Sequence, residues 1–477
     1  MHRTLPAFTR AALLTAAGCL LSACAVYHAS PLGAGDDHPT LPASATRVEV
    51  DAHALGLPPL PAHRFAAAQG LDMTDIATLA VLNNPDLKLA RSDLAIAKAQ
   101  AFDAGLLPDP QLTAIQDWTR PHISGASSDY TAGLSIDVMK IITRGANKAA
   151  ADATVRKTDL GMLWQEWQLV AQARILFLKA QLQDTTLPLL TRQRDLNLAR
   201  LQAMSQGARQ RDITGDALGV AQLAYQDSQT ALADAQRAAS QTRHDLNALL
   251  GLAPDAHLKL LPREPLGDAA FAQAIAASIA LTHQDLGQLA SRRPDLLALK
   301  QGYLAQENKY RAAVLNQFPT FQFGVQQARD TSYVKTQGYT LTLSLPVFNR
   351  NRGVIAIEKA TRERLHVEYF NRVNSAYADV DRLRADIQLL AAQVDTLQHA
   401  LPDLDSLAAA TERAYALHAV TIGTYTDTQN SLLARDIAVA TTQEALAEQR
   451  VALQALMGAD IPQPYASKPL AVGVTAP

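Results

Sequence analysis

Residues 339–401 read YTLTLSLPVFNRNRGVIAIEKATRERLHVEYFNRVNSAYADVDRLRADIQLLAAQVDTLQHAL. Two periods meet in this stretch. Tyr339, Leu341, Leu343 and Leu345 alternate with Thr340, Thr342 and Ser344, the period of a strand with one apolar face. After residues 346–353 the period becomes seven. Val373, Val380, Ile387, Val394 and Leu401 recur without a break, and Phe370, Tyr377 and Leu397 supply most of a second seam position. That is a coiled-coil pattern, and it predicts helices packed lengthwise. A continuous helix over residues 353–414 would be on the order of 90 Å long, although Pro402 should bend or interrupt it. A compact domain has no use for such a helix, whereas a body that crosses a wide compartment does.

The same order of elements occurs twice. Asn84-Pro85-Asp86-Leu87 matches Arg293-Pro294-Asp295-Leu296 at an offset of 209. Tyr130-Thr131 with Leu134-Ser135-Ile136 matches Tyr339-Thr340 with Leu343-Ser344-Leu345 at the same offset. Arg144-Gly145 matches Arg352-Gly353 at 208, Asp216 matches Asp427 at 211, and Leu250-Gly251 matches Met457-Gly458 at 207. Ordered matches at a nearly constant offset mean duplication, with a period far too long for a solenoid. Each half reads as a helix from near Thr74 (or Asp285) to before Pro108 (or Pro319), two extended segments, a very long helix, a break and a second long helix. The extended segments fall near 110–119, 129–138, 319–328 and 337–346. The long helix of the first half runs from Gly145 to about Met204 and contains Pro188, which should bend or interrupt it.

Composition agrees with long helices packed closely together. Aromatics are only 5% of the chain. The formal net charge of −2 gives no reason to expect nucleic acid. The two cysteines, Cys19 and Cys24, leave no disulfide framework or cysteine metal site for a mature chain. The twelve histidines form no ligand cluster, and no catalytic elbow, phosphate loop or HExxH is present, so an enzyme is not expected.

The N-terminus reads as a targeting segment. Arg3 and Arg10 precede an apolar run, Ala11 to Leu21, too short to span a bilayer. The run ends Leu21-Ser22-Ala23-Cys24, which resembles the lipobox of bacterial lipoproteins. The resemblance implies cleavage of residues 1–23 and a covalent lipid on Cys24; an ordinary signal peptide is the alternative. Ala25 follows, where Asp would favour inner-membrane retention in enteric bacteria. A proline-rich leader, 24–70, precedes the two repeats, 71–262 and 263–460, and a tail, 461–477.

Each extended segment is about as long as a tilted strand that crosses a membrane. Trp118, Tyr130, Phe321 and Tyr339 are placed as interfacial aromatics near strand ends. Two soluble hairpins packed on helices are the plainer alternative. Four strands cannot close a barrel, and an open edge cannot face lipid, where each unpaired backbone group costs several kcal/mol. If these strands enter a membrane, chains must pool them. Two chains give eight strands with a filled interior, and three give twelve with a lumen.

From about residue 70 to 460 the chain resembles the TolC-type outer membrane factors. The shared features are the duplication, the strand–strand–long-helix order and a tip signature, Tyr-x-x-Gly with Asp nine residues after the glycine. Here Tyr415-Ala416-Leu417-His418 is followed by Asp427, and Met204-Ser205-Gln206-Gly207 by Asp216. Residues 345–353 match the family's strand-to-helix turn, with Pro346 and Gly353 in the second copy and Asp137 and Gly145 in the first. The chain departs at His418, where the family has Gly, and at Met204, where it often has Tyr. The resemblance implies a mainly α fold with a small antiparallel β part. It further implies a homotrimer with a shared twelve-stranded transmembrane barrel and an α-barrel reaching into the periplasm of a Gram-negative bacterium. The implied partners are outer membrane lipid, a periplasmic adaptor and an inner-membrane transporter of the RND type, and the implied role is the exit duct of an efflux pump. A duct for protein (type I) secretion and a lipid-anchored scaffold without a pore are the alternatives.

Site residues follow from the same resemblance. Asp427, Thr424 and Asp216 are the pore-aperture candidates, since a carboxylate ring in a constriction attracts cations. Asp427→Ala is then expected to weaken cation selectivity. The plainer role for either acid is to favour a helix N-terminus. Gly207, His418 and Tyr415 are the candidate adaptor-docking tips. No metal and no cofactor beyond the lipid on Cys24 is expected.

Overall fold

A computed structural model describes residues 27–33, 70–118, 128–262 and 268–458. Cys24, the signal segment, most of the leader and the tail 461–477 lie outside them. Residues 1–41 form one compact unit, in which the described residues 27–33 are irregular and exposed. Residues 42–477 form the other, which holds every helix and strand among the described residues.

The first half contains α1 (Met73–Asn83), α2 (Pro85–Ala104), β1 (Gln111–Asp117), β2 (Asp129–Asp137), α3 (Val138–Arg209) and α4 (Gly215–Leu249). The second contains α5 (Asp268–Asp285), α6 (Leu289–Arg292), α7 (Pro294–Leu315), β3 (Thr320–Arg329), β4 (Lys335–Ser344), α8 (Arg352–His399), α9 (Leu401–Ala416) and α10 (Ile422–Met457). No helix among the described residues is long and apolar enough to cross a membrane.

The expected single opening helix of each half is broken, and helix in the second half already begins at Asp268 rather than near Asp285. The break at Asn84 follows from the next residue. A residue before proline is pushed out of the helical region, and Asn84 has ψ 127°. Its side chain then caps α2 by accepting from the Leu87 N–H at 3.1 Å, while its Nδ2 donates to the Leu249 carbonyl. Pro85 takes the first helical position, where no N–H is needed.

Pro188 does not interrupt α3, which runs unbroken for 72 residues, about 110 Å. Threonine hydroxyls flank the proline, Thr185 and Thr186 donating to the Gln181 and Leu182 carbonyls and Thr191 to that of Leu187. Pro402 does mark a break, a single residue at Ala400 between α8 and α9. The helix seam is also shifted. Val380, Ile387 and Val394 are buried as expected, but the second position belongs to Ala376 and Leu383, while Phe370 is 53% exposed. A small alanine lets neighbouring helices approach where an aromatic ring would hold them apart.

Two apolar cores repeat the duplication. One joins Ile76, Leu79 and Leu87 to Phe177 on α3 and Leu246 on α4. The other joins Leu289 and Leu296 to Val380, Ile387, Leu446 and Leu453. Thus each half buries its own helical hairpin under its own opening helices. Between the halves, Leu178, Ala447 and Val451 form a small apolar cluster where α3 meets α10, and α3 also packs along α7.

The four strands form one antiparallel sheet in the order β1-β2-β3-β4. The central pair, β2 with β3, comes from different halves, Tyr130 facing Arg329 and Asp137 facing Gln322. The register aligns Leu112, Leu134, Val325 and Tyr339 in one row and Thr113, Gly133, Gln326 and Gly338 in the next. Successive rows point to opposite faces, so one face is apolar and the other polar. Gly324 is required by close approach, since an added Cβ would lie 2.6 Å from the Leu134 carbonyl oxygen. Tyr339 is not near a strand end; it lies in the body of β4, its ring stacked 5.9 Å from that of Phe323. Among the described residues, β1 and β4 each leave one edge unpaired.

Candidate functional site

The helical turns farthest along the chain from the sheet carry the candidate residues. Both turns close in the same way. The Asp212 N–H donates to the Gly207 carbonyl and the Arg211 N–H to that of Ala208; Ala419 and His418 repeat these bonds onto Ala414 and Tyr415. This pattern ends a helix with one left-handed residue. That residue is Arg211 (φ 66°) in the first turn and His418 (φ 59°) in the second. The expected turning point Gly207 lies instead inside α3. Its lack of a side chain makes room for Ile213, whose Cδ1 would meet an added Cβ at 2.7 Å.

The two turns therefore correspond at an offset of 207, as do Gly251 (φ 61°) and Gly458 (φ 63°). The pairing of Asp216 with Asp427 is corrected by this. Asp216 corresponds to Gly423, and Asp427 to Val220. Asp216 sits exposed in the first turn of α4, where the Thr214 hydroxyl and then the N–H groups of Asp216 and Ala217 hold its carboxyl below the usual carboxylate range. Thr424 contributes to the start of α10. Its N–H donates to Thr421 Oγ1 at 3.2 Å, and the two hydroxyls are 3.1 Å apart.

Thr424, Asp427 and Ser431 are exposed on one side of α10. Asp427 is not a free carboxylate, since Arg200 of α3 reaches it with an Nη1–Oδ1 distance of 2.5 Å. The guanidinium passes over Gly423, where an added Cβ would lie 3.7 Å from Nη2. The pair continues as a polar seam between antiparallel α3 and α10. Asn430 donates to Asn197, Arg192 to Gln429, and Arg174 to Gln454. Lys179 pairs with Glu448 at 3.6 Å. Beside it, burial pushes the Glu444 carboxyl up to about 8, helped by the hydrogen bond and charge of Glu448 and opposed by Lys179. Nothing in the local sequence singles out Arg200; its partner is 227 residues away.

Tyr415 also has a partner, its ring stacked on that of Tyr425 at 4.7 Å and 6°. The strand-to-helix turns differ between halves. Gly145 lies within α3 rather than at a turn, because α3 follows β2 directly and Asp137 caps it through the Met139 and Lys140 N–H groups. In the second half Pro346 lies in a true connection closed by left-handed Arg350 and Asn351, and Gly353 is the second residue of α8. There Asn351 Nδ2 donates to the Ala313 carbonyl, and in the first half Arg144 Nε donates to that of Gly105. Each bond ties the root of a long helix to the end of the preceding one.

Residues 286–459 match the family model described as outer membrane efflux protein. Over 425 residues the chain is 27% identical to the pyoverdine export outer membrane protein OpmQ of Pseudomonas putida, covering 81% of this chain and 86% of that protein. The outer-membrane channel OprN has a similar fold at 16% identity, with a TM-score of 0.65 over 82% of this chain and 90% of that one. The outer membrane channel CmeC of Campylobacter jejuni also scores 0.65, at 13% identity over 82% and 86%. In sequence over its second half and in fold over most of its length, this chain is similar to TolC-like outer membrane efflux proteins.

Proposed function

We propose that three copies of this chain pool their sheets into a twelve-stranded barrel and their long helices into a periplasmic tunnel, forming the outer membrane duct of a tripartite efflux pump. The observation that carries the assembly is the open four-stranded sheet, apolar on one face and polar on the other, with both edges unpaired among the described residues. Lipid would face the row Leu112, Leu134, Val325 and Tyr339. Water would face Thr113, Gly133, Gln326 and Gly338. An unpaired edge in hydrocarbon costs several kcal/mol per backbone group, so closure by other copies offsets a large penalty. Twelve strands leave a lumen where eight would be filled. The helical turns then form the inner end of the duct, with Thr424 and Asp427 at its aperture and the turns at Arg211 and His418, flanked by Gly207 and Tyr415, open to an adaptor. An RND-type transporter in the inner membrane supplies the cargo through that adaptor. No bond chemistry is asked of any residue.

Purified full-length protein in mild detergent should have the mass of a trimer by light scattering and should open discrete conductance steps in planar bilayers. A monomer that passes no current would end this reading. Cys24 is the proposed lipid anchor. Cys24→Ser should block acyl labelling and leave the precursor uncleaved on gels, whereas unchanged labelling would assign the lipid elsewhere.

A further inference from the structure

We infer that the rim of the sheet at its hairpin loops is a docking site for phosphorylated lipid headgroups, built from Arg329 and Lys335. The inference rests on the barrel reading above and assigns it a lipid partner. The apolar face of the sheet does not end in more apolar residues. Its last row before the loops is Gln116, Tyr130, Arg329 and Lys335, each directly opposite the next. Residues directly opposite have Cβ atoms about 4.5–5.5 Å apart, and like charges there repel. A carboxylate or an amide at either position would avoid that repulsion.

Neither cation meets a counter-charge on this face among the described residues, since Asp117 and Asp129, one row further on, lie on the opposite face of the sheet. Arg329 donates through Nη2 to the Ser128 carbonyl at 2.9 Å, which is a neutral partner, and its Nε is buried without one. Lys335 is exposed, and neither cation has an ion pair among the described residues. The nearby acid, Asp330, is already engaged: its Oδ1 accepts the Ser332 and Val334 N–H groups at 2.8 and 2.9 Å and closes the hairpin turn. Meanwhile the guanidinium is held in place by two rings, 5.2 Å from the Tyr130 centroid and 5.4 Å from that of Tyr333.

These features match a phosphate monoester at the edge of a hydrocarbon layer. Arginine presents its donors in a fixed fork that suits phosphate, and lysine adds a mobile point charge beside it. Amphipathic tyrosines sit at headgroup depth in membrane barrels. The position is also right in chain terms, since the hairpin loops leave the sheet at the end opposite the helix roots. In the assembled duct that is the outward-facing leaflet. The row would be presented once per copy, so three equivalent sites would ring the barrel.

The test uses full-length protein in a zwitterionic detergent, titrated with bisphosphorylated lipid A, with its dephosphorylated counterpart and with inorganic phosphate. Thermal shift and native mass spectrometry are the readouts. Bisphosphorylated lipid A should bind and stabilise; the other two should not. R329Q/K335Q should weaken that binding about tenfold or more, the scale of losing charge-assisted phosphate contacts. Lys335→Glu supplies the missing counter-charge, so it should stabilise the lipid-free protein and abolish the lipid response. Equal responses to dephosphorylated lipid or to free phosphate, or a full response in Lys335→Glu, would overturn the inference. The oligomeric mass and conductance of the same samples keep the two readings apart. A conducting trimer that ignores lipid phosphate overturns only the rim site, while a non-conducting monomer overturns the barrel.

Discussion

Arg200→Gln should make the open channel more selective for cations than the unaltered protein. In each copy Arg200 sits on Asp427, with the arginine side chain 14% exposed and the aspartate side chain 64% exposed. The carboxylate therefore faces solvent with its charge already answered. Glutamine keeps the length and a donor but removes the cation, so each copy would expose one uncompensated negative charge at the proposed aperture. A unit charge acts on an ion at 4 Å with about 1 kcal/mol in water, roughly a fivefold change in local occupancy. Reversal potentials in a potassium chloride gradient should move toward the potassium potential, most clearly at low salt, where screening is weak. Asp427→Ala should move them the other way, because it leaves Arg200 unanswered. This sharpens the expectation drawn from the sequence, in which removal of an acid simply reduced cation preference. If Arg200→Gln left the reversal potential unchanged, the pair would lie away from the narrowest part of the path.

Phe177→Ala should be the most damaging single truncation in the first half. Phe177 is fully buried where α3 meets the opening helices and α4. Removing a buried phenylalanine costs about 3–5 kcal/mol, from lost transfer energy and the cavity left behind. For one half melting as its own cooperative unit that corresponds to a fall in Tm on the order of 10 °C. Leu389→Ala is the control, since Leu389 is 71% exposed and its truncation should cost under about 0.5 kcal/mol. Hydrogen exchange locates the damage. Faster exchange should appear around Leu79, Leu87 and Leu246 and spare Ile387 and Leu453, because the two cores are separate. Uniform loosening of both halves would show that the packing of α3 against α7 and α10 couples the two cores.

Much of the fold was legible because its signals are local and periodic. Alternation at Tyr339, Leu341 and Leu343 placed β4 within about two residues, and the seven-residue run placed α8. Matches near a constant offset gave the duplication. Three errors have physical causes. Tyr377 does pack against the second core, but Phe370 is drawn into the seam because large residues dominate an apolar pattern, whereas Ala376 packs there by being small. Pro188 is expected to bend or interrupt α3; it does not interrupt it, because a helix already held by packing along its length continues through one lost bond. At the turns, matching Gly207 to His418 by residue type gave an offset of 211, while the backbone obeys 207. Arginine and histidine took the left-handed position usually given to glycine, which hid the correspondence. Arg200 could not be found at all, since its significance lies in a neighbour brought up by tertiary packing.

The mismatch between the turns reaches beyond this chain. Where the second has Tyr415 stacked on Tyr425 with Asp427 below, the first has Ala208, Leu218 and Val220. Backbone symmetry is thus nearly sixfold in the proposed trimer, but chemistry is only threefold. A ring of six identical adaptor subunits could not grip all six sites alike. It would have to settle as three unequal pairs, and the weaker member of each pair would be the natural place for the joint to let go.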